Sequence, residues 1–199
     1  MPFYNEMRVE LMAGQFLDIH EQTQKDTSVD RSMKIARYKS GKYTIERPLH
    51  FGAALATTDK KVLAEVTSHL SSYGLPLGEA FQLRDDLLGV FGDPSVTGKP
   101  AGDDLREGKP TLPLIYLLNH GSAKEKALAQ QAIQQVDTCD EAFFEEVLRT
   151  VRSSGALEYT LEQAMLEAEK ARSCLASFPK NAHTEALQKL CDYSLARSS

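Results

Sequence analysis

The stretch Phe81–Asp93, with the sequence FQLRDDLLGVFGD, places two adjacent carboxylates inside an apolar run. Four of its residues are spaced so that they share one face of a helix: Gln82, Asp85, Asp86 and Gly89. Apolar side chains cover most of the remaining surface, which predicts a largely buried helix. A buried carboxylate must be protonated, paired or bound to a metal ion. The alternative is a solvated aspartate pair at a helix end.

Length and composition limit the class of protein. A chain of 199 residues with 42% hydrophobic and 26% charged residues is typical of one globular domain. The net charge of −5 argues against nucleic acid as the main partner. The three cysteines have no metal-ligand spacing, so we predict reduced thiols in a cytoplasmic protein. The sequence shows neither a signal-peptide pattern nor an apolar run long enough to span a bilayer.

The hydrophobic periodicity predicts helices throughout the chain, and no segment shows the alternation of a strand. A long charged loop is expected at residues 92–109, after the helix that carries the aspartate pair. The predicted helices are 3–22, 30–37, 42–57, 60–91, 110–118, 123–136, 139–153, 156–178 and 184–197. The sequence therefore predicts an all-α fold.

Several local signals sharpen this prediction. Gly14 should let another backbone approach closely, and Gly74, Pro76 and Gly78 predict a bend rather than a break in the long helix. Asp30 and Asp59 are predicted N-caps. Two pairs have the spacing of a capping box: Ser122 with Glu125, and Thr138 with Glu141.

Two sets of charged residues point to a common chemistry. Carboxylates come from two helices and the loop: Asp18, Asp85, Asp86 and Asp104. Oxygen ligands of this kind suit Mg²⁺, which typically bridges carboxylates to substrate phosphates. Lysines with phosphate-binding surroundings are Lys39, Lys99 and Lys109, and Ser40 follows the first of them at an expected helix break. For Asp18 alone, an exposed polar helix face is the alternative.

These motifs resemble those of the trans-isoprenyl diphosphate synthases, also called polyprenyl synthetases. The aspartate pair and the lysines of the loop look like the second aspartate-rich region of that family. Residues 14–18 resemble its Gly-Gln-x-x-Asp helix, and Lys39-Ser40 resembles its Lys-Thr pair. Residues 3–106 resemble geranylgeranyl-type synthases, and the chain from about residue 108 onward resembles octaprenyl-type synthases.

The resemblance implies a role for each matched residue. Asp18, Asp85, Asp86 and Asp104 would ligate Mg²⁺, the last two directly or through water. Substrate diphosphate would be bound by Lys39, Ser40, Gln82, Lys99 and Lys109. Asp85, Asp86 and Lys39 would be catalytic in the condensation of an allylic diphosphate with isopentenyl diphosphate.

The chain also departs from the family pattern. Gly89 stands where the family motif usually has a third aspartate, and the first aspartate-rich motif is absent from the sequence. The resemblance therefore implies that residues 1–199 are the C-terminal part of one polyprenyl synthetase domain, a partial helical bundle without its N-terminal helices. Such a bundle should expose the apolar faces that those helices would cover.

Several functions agree with this pattern. The first is a prenyltransferase segment with little or no activity alone, forming a homodimer or pairing with a full-length synthase. A long-chain product would give it peripheral contact with a membrane. The second is a non-catalytic partner subunit of a complete synthase. A terpene cyclase-like lyase and a purely structural helical protein are further alternatives.

Overall fold

In the computed structural model, residues 2–24, 28–92, 102–135 and 139–196 are described, and every regular element in these ranges is helical. The predicted all-α class is therefore confirmed. The α-helices are α1 (Pro2–Gln24), α2 (Val29–Ala36), α3 (Arg47–Ala56), α4 (Lys60–Phe91), α5 (Asp103–Arg106), α6 (Leu112–His120), α7 (Ala123–Gln134), α8 (Glu141–Ser153), α9 (Ala156–Cys174) and α10 (Ala182–Ala196). A short 3₁₀ turn, Leu175–Ser177, follows α9. Lys99 and Thr138 lie outside the described residues.

A π-helix, Arg37–Glu46, joins α2 to α3 without interruption. The predicted helix break at this position is therefore wrong. In the wider turn of a π-helix, each backbone amide donates to the carbonyl oxygen five residues earlier in the chain, rather than four. Pro48 lies in the first turn of α3.

Helix α4 is continuous over 32 residues and contains Pro76 in its interior. Its start agrees with the prediction, since Asp59 Oδ1 accepts hydrogen bonds from the amides of Lys61 at 2.8 Å and Val62 at 3.2 Å. The prediction that Pro76 would not break this helix is confirmed. The aspartate pair therefore lies on a continuous helix.

Other helix ends confirm some predictions and correct others. The capping box of Ser122 and Glu125 is present at the start of α7. Helix α8 is capped by Asp140 rather than Thr138, because Asp140 Oδ1 accepts from the amide of Phe143 at 2.9 Å. Asp30 is not a cap but lies in the first turn of α2, where a negative charge favours the helix dipole.

The predicted loop at 92–109 contains regular structure. Residues 103–106 form α5, and Leu105 is completely buried. Gly102 and Gly108 on either side have φ values of 77° and 65°, a region that favours glycine. This part of the loop is therefore an anchored turn of helix that can hold its charged side chains in place.

Contacts divide the chain into two compact units. Among the described residues, the first contains those within 2–17, 34–82 and 164–196, and the second contains those within 18–33 and 83–163. The first unit has a core built around Tyr73, Leu77, Ala171, Leu175 and Cys191. The second has a larger core, which includes Val90, Leu105, Leu114, Leu117, Ala132, Val147 and Val151.

The three cysteines are free thiols, as predicted. Cys191 is completely buried, and this burial raises the pKa of its thiol. Nearby Tyr73 donates a hydrogen bond from its hydroxyl to the backbone oxygen of Leu187 at 2.8 Å. Cys191 therefore belongs to the packed core of the first unit.

Helix α1 presents a row of large apolar side chains to solvent. Val9, Met12, Phe16 and Ile19 are between 55% and 69% exposed, and their spacing places them on one side of the helix. Large contiguous exposed apolar patches are uncommon on soluble monomers. Among the described residues, no helix is long and apolar enough to cross a membrane.

Candidate functional site

The aspartate pair lies on the C-terminal part of α4. Apolar residues before and after the pair in the sequence are packed in the protein interior. Leu83 and Leu87 are each 2% exposed, and Val90 is fully buried. Asp85 and Asp86 are half-buried. The carboxylate pair thus lies on a helix segment with a buried apolar face, as predicted, and the two aspartates themselves are partly accessible to solvent.

A second charged cluster is built by α5 and the turn after it. The ammonium group of Lys109 donates to Asp104 Oδ1 at 2.7 Å and lies 2.5 Å from Glu107 Oε2. The amide of Lys109 also donates to the backbone oxygen of Asp104 at 3.0 Å. Burial lowers the pKa of Lys109, but hydrogen bonds to the two carboxylates raise that pKa by more. Lys109 is therefore a cation at all pH values near neutrality.

The carboxylate of Asp104 lies directly against Gly89 of α4. A Cβ atom at position 89 would overlap Asp104 Oδ2 and would lie only 2.7 Å from Asp104 Cγ. Gly89 is one helical turn beyond Asp85 and Asp86, on the same face. The structure therefore brings Asp104 to the helix face that carries the aspartate pair.

The π-helix positions Lys39 and Ser40 in the first unit. Ser40 is buried, and its hydroxyl donates a hydrogen bond to Gln82 Oε1. At the start of the segment, Arg37 Nε donates to Glu79 Oε1 at 2.5 Å, and Glu79 is 4% exposed. Two side-chain bonds to α4 thus determine the orientation of this turn.

Close backbone contacts hold the same segment. A Cβ at Gly14 would lie 2.9 Å from the backbone nitrogen of Lys39, which confirms the predicted close approach at Gly14. A Cβ at Gly78 would overlap the Cα of Gly41 and lie 3.1 Å from both the nitrogen and the carbonyl carbon of Gly41. The contact between Gly78 and Gly41 was not predicted, because the partner of a small residue cannot be deduced from its spacing in the sequence.

A buried polar network connects α1 to the π-helix and α3. Arg47 donates through Nε and Nη2 to the two carboxylate oxygens of Glu10, both at 2.7 Å. Lys42 contacts the same carboxylate at 2.5 Å. Arg47 also contacts His50 Nδ1 at 3.1 Å, and Nε2 of His50 lies 3.0 Å from Ser71 Oγ.

This network was not found from the sequence. The only signal is the spacing of Glu6 and Glu10, which share a face of α1. Burial raises the pKa of Glu10, but hydrogen bonds from Arg47 and Lys42 lower that pKa by more, so Glu10 is ionised well below neutral pH. Burial lowers the pKa of His50, and a neutral imidazole therefore faces the Arg47 cation. The network is a structural support for the segment that carries Lys39 and Ser40.

The structure brings some predicted site residues together and divides others between the units. Asp18, Asp85, Asp86, Asp104 and Lys109 belong to the second unit, and Lys39, Ser40 and Gln82 belong to the first. In the part of the chain that the structure describes, no three His, Cys, Asp or Glu side chains converge to hold a metal ion. The oxygen donors nevertheless fit Mg²⁺, which usually needs only one or two carboxylates together with substrate phosphates and water.

Comparison with known proteins places the chain among relatives of one kind. Residues 1–151 match the family model described as polyprenyl synthetase. Octaprenyl diphosphate synthase of Escherichia coli is 41% identical over 128 residues, which are 64% of this chain and 39% of that enzyme. These matches confirm the family resemblance seen in the motifs.

Solved structures agree with this result. Geranylgeranyl pyrophosphate synthase of Corynebacterium glutamicum, complexed with isoprenyl diphosphate and magnesium, superposes with a TM-score of 0.87 and 34% identity. The superposition covers 98% of this chain and 54% of the chain of that synthase. Polyprenyl synthase of Caulobacter crescentus, complexed with calcium and isoprenyl diphosphate, superposes with a TM-score of 0.90 and 32% identity. That superposition covers 100% of this chain and 58% of the chain of the Caulobacter protein. The chain therefore spans little more than half the length of these relatives.

Proposed function

Because this chain belongs to the polyprenyl synthetase family, we propose that it binds an allylic diphosphate through Mg²⁺ for head-to-tail condensation with isopentenyl diphosphate. The observation that carries this proposal is the arrangement of Asp104 and Lys109 beside the aspartate face of α4. It combines oxygen ligands for a cation with an ammonium group for a phosphate. The magnesium and calcium complexes named above support the proposal.

Each residue of the site has a role in this proposal. Asp18, Asp85, Asp86 and Asp104 hold Mg²⁺, which when bound would neutralise the charge on the departing diphosphate. Lys109 adds a positive charge beside the same diphosphate, and we keep Lys99 in that role from the sequence. Leu83 and Leu87, which are buried on another side of α4, hold the helix that carries the aspartates in place.

From the resemblance, we keep Lys39, Ser40 and Gln82 in their proposed roles in binding the substrate. Lys39 contributes a charge and Ser40 a hydroxyl, and Gln82 accepts the hydrogen bond of that hydroxyl. Because this hydrogen bond fixes the oxygen of the Gln82 amide, the NH₂ group of the same amide has a defined direction. Gln82 would therefore present its NH₂ group to a diphosphate oxygen or to a metal-bound water.

The binding step can be tested with inorganic diphosphate as the probe. Isothermal titration calorimetry should detect binding that requires Mg²⁺, and Asp85→Asn should weaken it at least about tenfold, since a ligand charge is lost without a change of shape. Asp192→Asn on α10 is the matched control, because Asp192 is 63% exposed and pairs with the partly exposed Arg172. Equal affinity for the Asp85→Asn variant and the unchanged chain would refute the proposed site.

Prenyl transfer itself is expected to be weak or absent for this chain alone. The chain spans 39% of the octaprenyl synthase it resembles, and its sequence has only the second aspartate-rich motif. A steady-state assay with isopentenyl diphosphate, farnesyl diphosphate and Mg²⁺ should therefore yield little or no product above a blank without protein. Robust Mg²⁺-dependent elongation by the purified chain would contradict this expectation.

The second candidate function is that of a non-catalytic partner subunit of a complete synthase. The row of Val9, Met12, Phe16 and Ile19 on α1 favours it, because an exposed apolar face of this size suits association with another chain. A homodimer, or a pair with a full-length synthase, would cover this row. Co-purification with a full-length synthase and a changed product length would distinguish this function from the first.

A further inference from the structure

We propose that His50 is the pH-sensitive link in a row of hydrogen bonds that fastens helix α1 to α3 and α4, and that acid breaks this row. The row runs from α4 through His50 and Arg47 of α3 to Glu6 and Glu10 of α1. All of these residues lie in the first unit. The proposal concerns the association of these helices and does not depend on the proposed function.

Arg47 is the centre of the row. Its Nε and Nη2 atoms donate to the carboxylate of Glu10, both at 2.7 Å. Its Nη1 atom lies 3.2 Å from Glu6 Oε2 and 3.1 Å from His50 Nδ1. A guanidinium has five N–H donors, no acceptor and a permanent charge. The ring nitrogen that faces it must therefore accept, so Nδ1 of His50 carries no hydrogen.

The other ring nitrogen of His50 carries the hydrogen and donates it to α4. Nε2 lies 3.1 Å from the backbone oxygen of Thr67 and 3.0 Å from Ser71 Oγ. The ring is buried, since His50 is 4% exposed, and the ring of Phe3 from α1 lies 5.5 Å from it between centroids. The neutral imidazole thus accepts on one side and donates on the other, and it contacts all three helices.

A proton on Nδ1 would place two donors and two positive charges against each other, 3.1 Å apart. The contact cannot survive in that form, so either the guanidinium or the ring must turn away. Turning the Arg47 guanidinium breaks its bonds to Glu10, and turning the ring removes the surface on which Phe3 packs. Both movements loosen the N-terminal turns of α1. A buried histidine of this kind is a switch close to neutral pH.

The surroundings of the ring determine the direction of the pH dependence. The charged groups of this cluster are Glu6 and Glu10 of α1, Lys42 and Glu46 of the π-helix, and Arg47. Helix α4 faces the ring with the Thr67 oxygen and the Ser71 hydroxyl. Burial, the largest effect, and the Arg47 cation lower the pKa of His50, and together they outweigh Glu46 and Glu6, which raise it.

The lowered pKa of His50 means that the unfolded chain takes up this proton more readily than the folded chain. The row is therefore fully stabilising above the ordinary histidine pKa of about 6.5. Its contribution decreases as the pH falls from there towards the lowered pKa. Acid, rather than base, opens the row.

Hydrogen–deuterium exchange measured by mass spectrometry tests the proposal on the unchanged chain. From pH 7.5 to pH 5.5, after correction for the intrinsic pH dependence of exchange, the protection of the α1 peptide with Glu6 and Glu10 should fall about fivefold or more. Peptides of α8, in the second unit, are the internal reference and should keep their protection within about twofold. Equal changes in α1 and α8 would contradict a local latch.

Two variants identify the group that titrates. His50→Gln keeps an amide oxygen for Arg47 and an NH₂ group for Thr67 but takes up no proton in this range. The protection of α1 should therefore no longer depend on pH in that variant. His183→Gln on α10 is the matched control, because His183 is exposed, and it should keep the full response. An unchanged response in His50→Gln would overturn the proposal.

A direct titration decides the matter even if His50→Gln does not fold. The other four histidines are replaced with glutamine, and the remaining imidazole is followed by proton NMR from pH 8 to pH 5. The His50 signal should titrate with a midpoint below about 6.5, and the protection of α1 should still fall over the same range. A midpoint at or above about 6.5 would overturn the proposal.

Discussion

Replacing Gly78 with alanine is expected to reduce the free energy of unfolding by about 4 kcal/mol, or to prevent folding. The added methyl group would overlap the Cα of Gly41 in the π-helix and lie 3.1 Å from the nitrogen and carbonyl carbon of that residue. These neighbours are backbone atoms, so no side-chain rotation can relieve the clash. The π-helix would have to move away from α4, and the bonds of Ser40 and Arg37 to α4 would be disturbed with it.

Urea unfolding followed by circular dichroism measures this effect. Gly52→Ala makes the same chemical change at an exposed position of α3 and is expected to be neutral or stabilising by up to about 1 kcal/mol. If Gly78→Ala were as stable as Gly52→Ala, the close contact between the π-helix and α4 would be refuted.

Replacing Glu10 with alanine is expected to reduce the free energy of unfolding by about 2–4 kcal/mol. The substitution would leave Arg47 and Lys42 without their shared carboxylate, and the Arg47 side chain is only 10% exposed. Glu6→Ala is a matched control on the same helix, because Glu6 contacts the same guanidinium at 3.2 Å but is 53% exposed. Its expected effect is within about 1 kcal/mol.

The contribution of Glu10 to the free energy of unfolding should decrease at acidic pH. Its pKa in the folded chain lies below the ordinary glutamate value of about 4.3, so the unfolded chain binds the proton more readily. The stabilisation is therefore complete above about pH 5 and is lost as the pH falls through the lowered pKa. The stability difference between the unchanged chain and Glu10→Ala, measured by urea unfolding from pH 7 to pH 3, should shrink only at the acidic end.

Much of the fold could be predicted because its signals are local. Capping at Asp59 and Ser122 depends on side chains within three residues of the helix start. The all-α class depends on periodicity along each segment. In contrast, the cap of α8 is Asp140, two residues after the predicted Thr138, because polar residues close together in sequence offer similar local chemistry.

The π-helix could not be predicted for a physical reason. Its sequence contains Ser40, Gly41 and Lys42, which together suit an anion-binding turn as well as a helix. What decides between them is the backbone of Gly78 on another helix, 37 positions further along the sequence. Local propensity is weak enough for such a contact to override it.

The candidate site was predicted in its residue types but not in its arrangement. The sequence indicated Asp104 and Lys109 as members of one loop, and the structure pairs them. From the sequence, Gly89 was interpreted only as the loss of an acidic residue from the motif. The close contact between Asp104 and Gly89 was not predicted, because the distance between two residues 15 positions apart across a turn depends on the packing of Leu105 rather than on spacing.

Cys191 provides a natural reporter of how the first unit opens. Alkylating reagents react with a thiolate, and the buried thiol of Cys191 has a raised pKa, so modification requires that α10 first separates from the core around Tyr73. Cys139 and Cys174 are partly exposed and supply internal references in the same molecule. Mass spectrometry of the labelled peptides can therefore time the local opening of this unit, without any engineered probe.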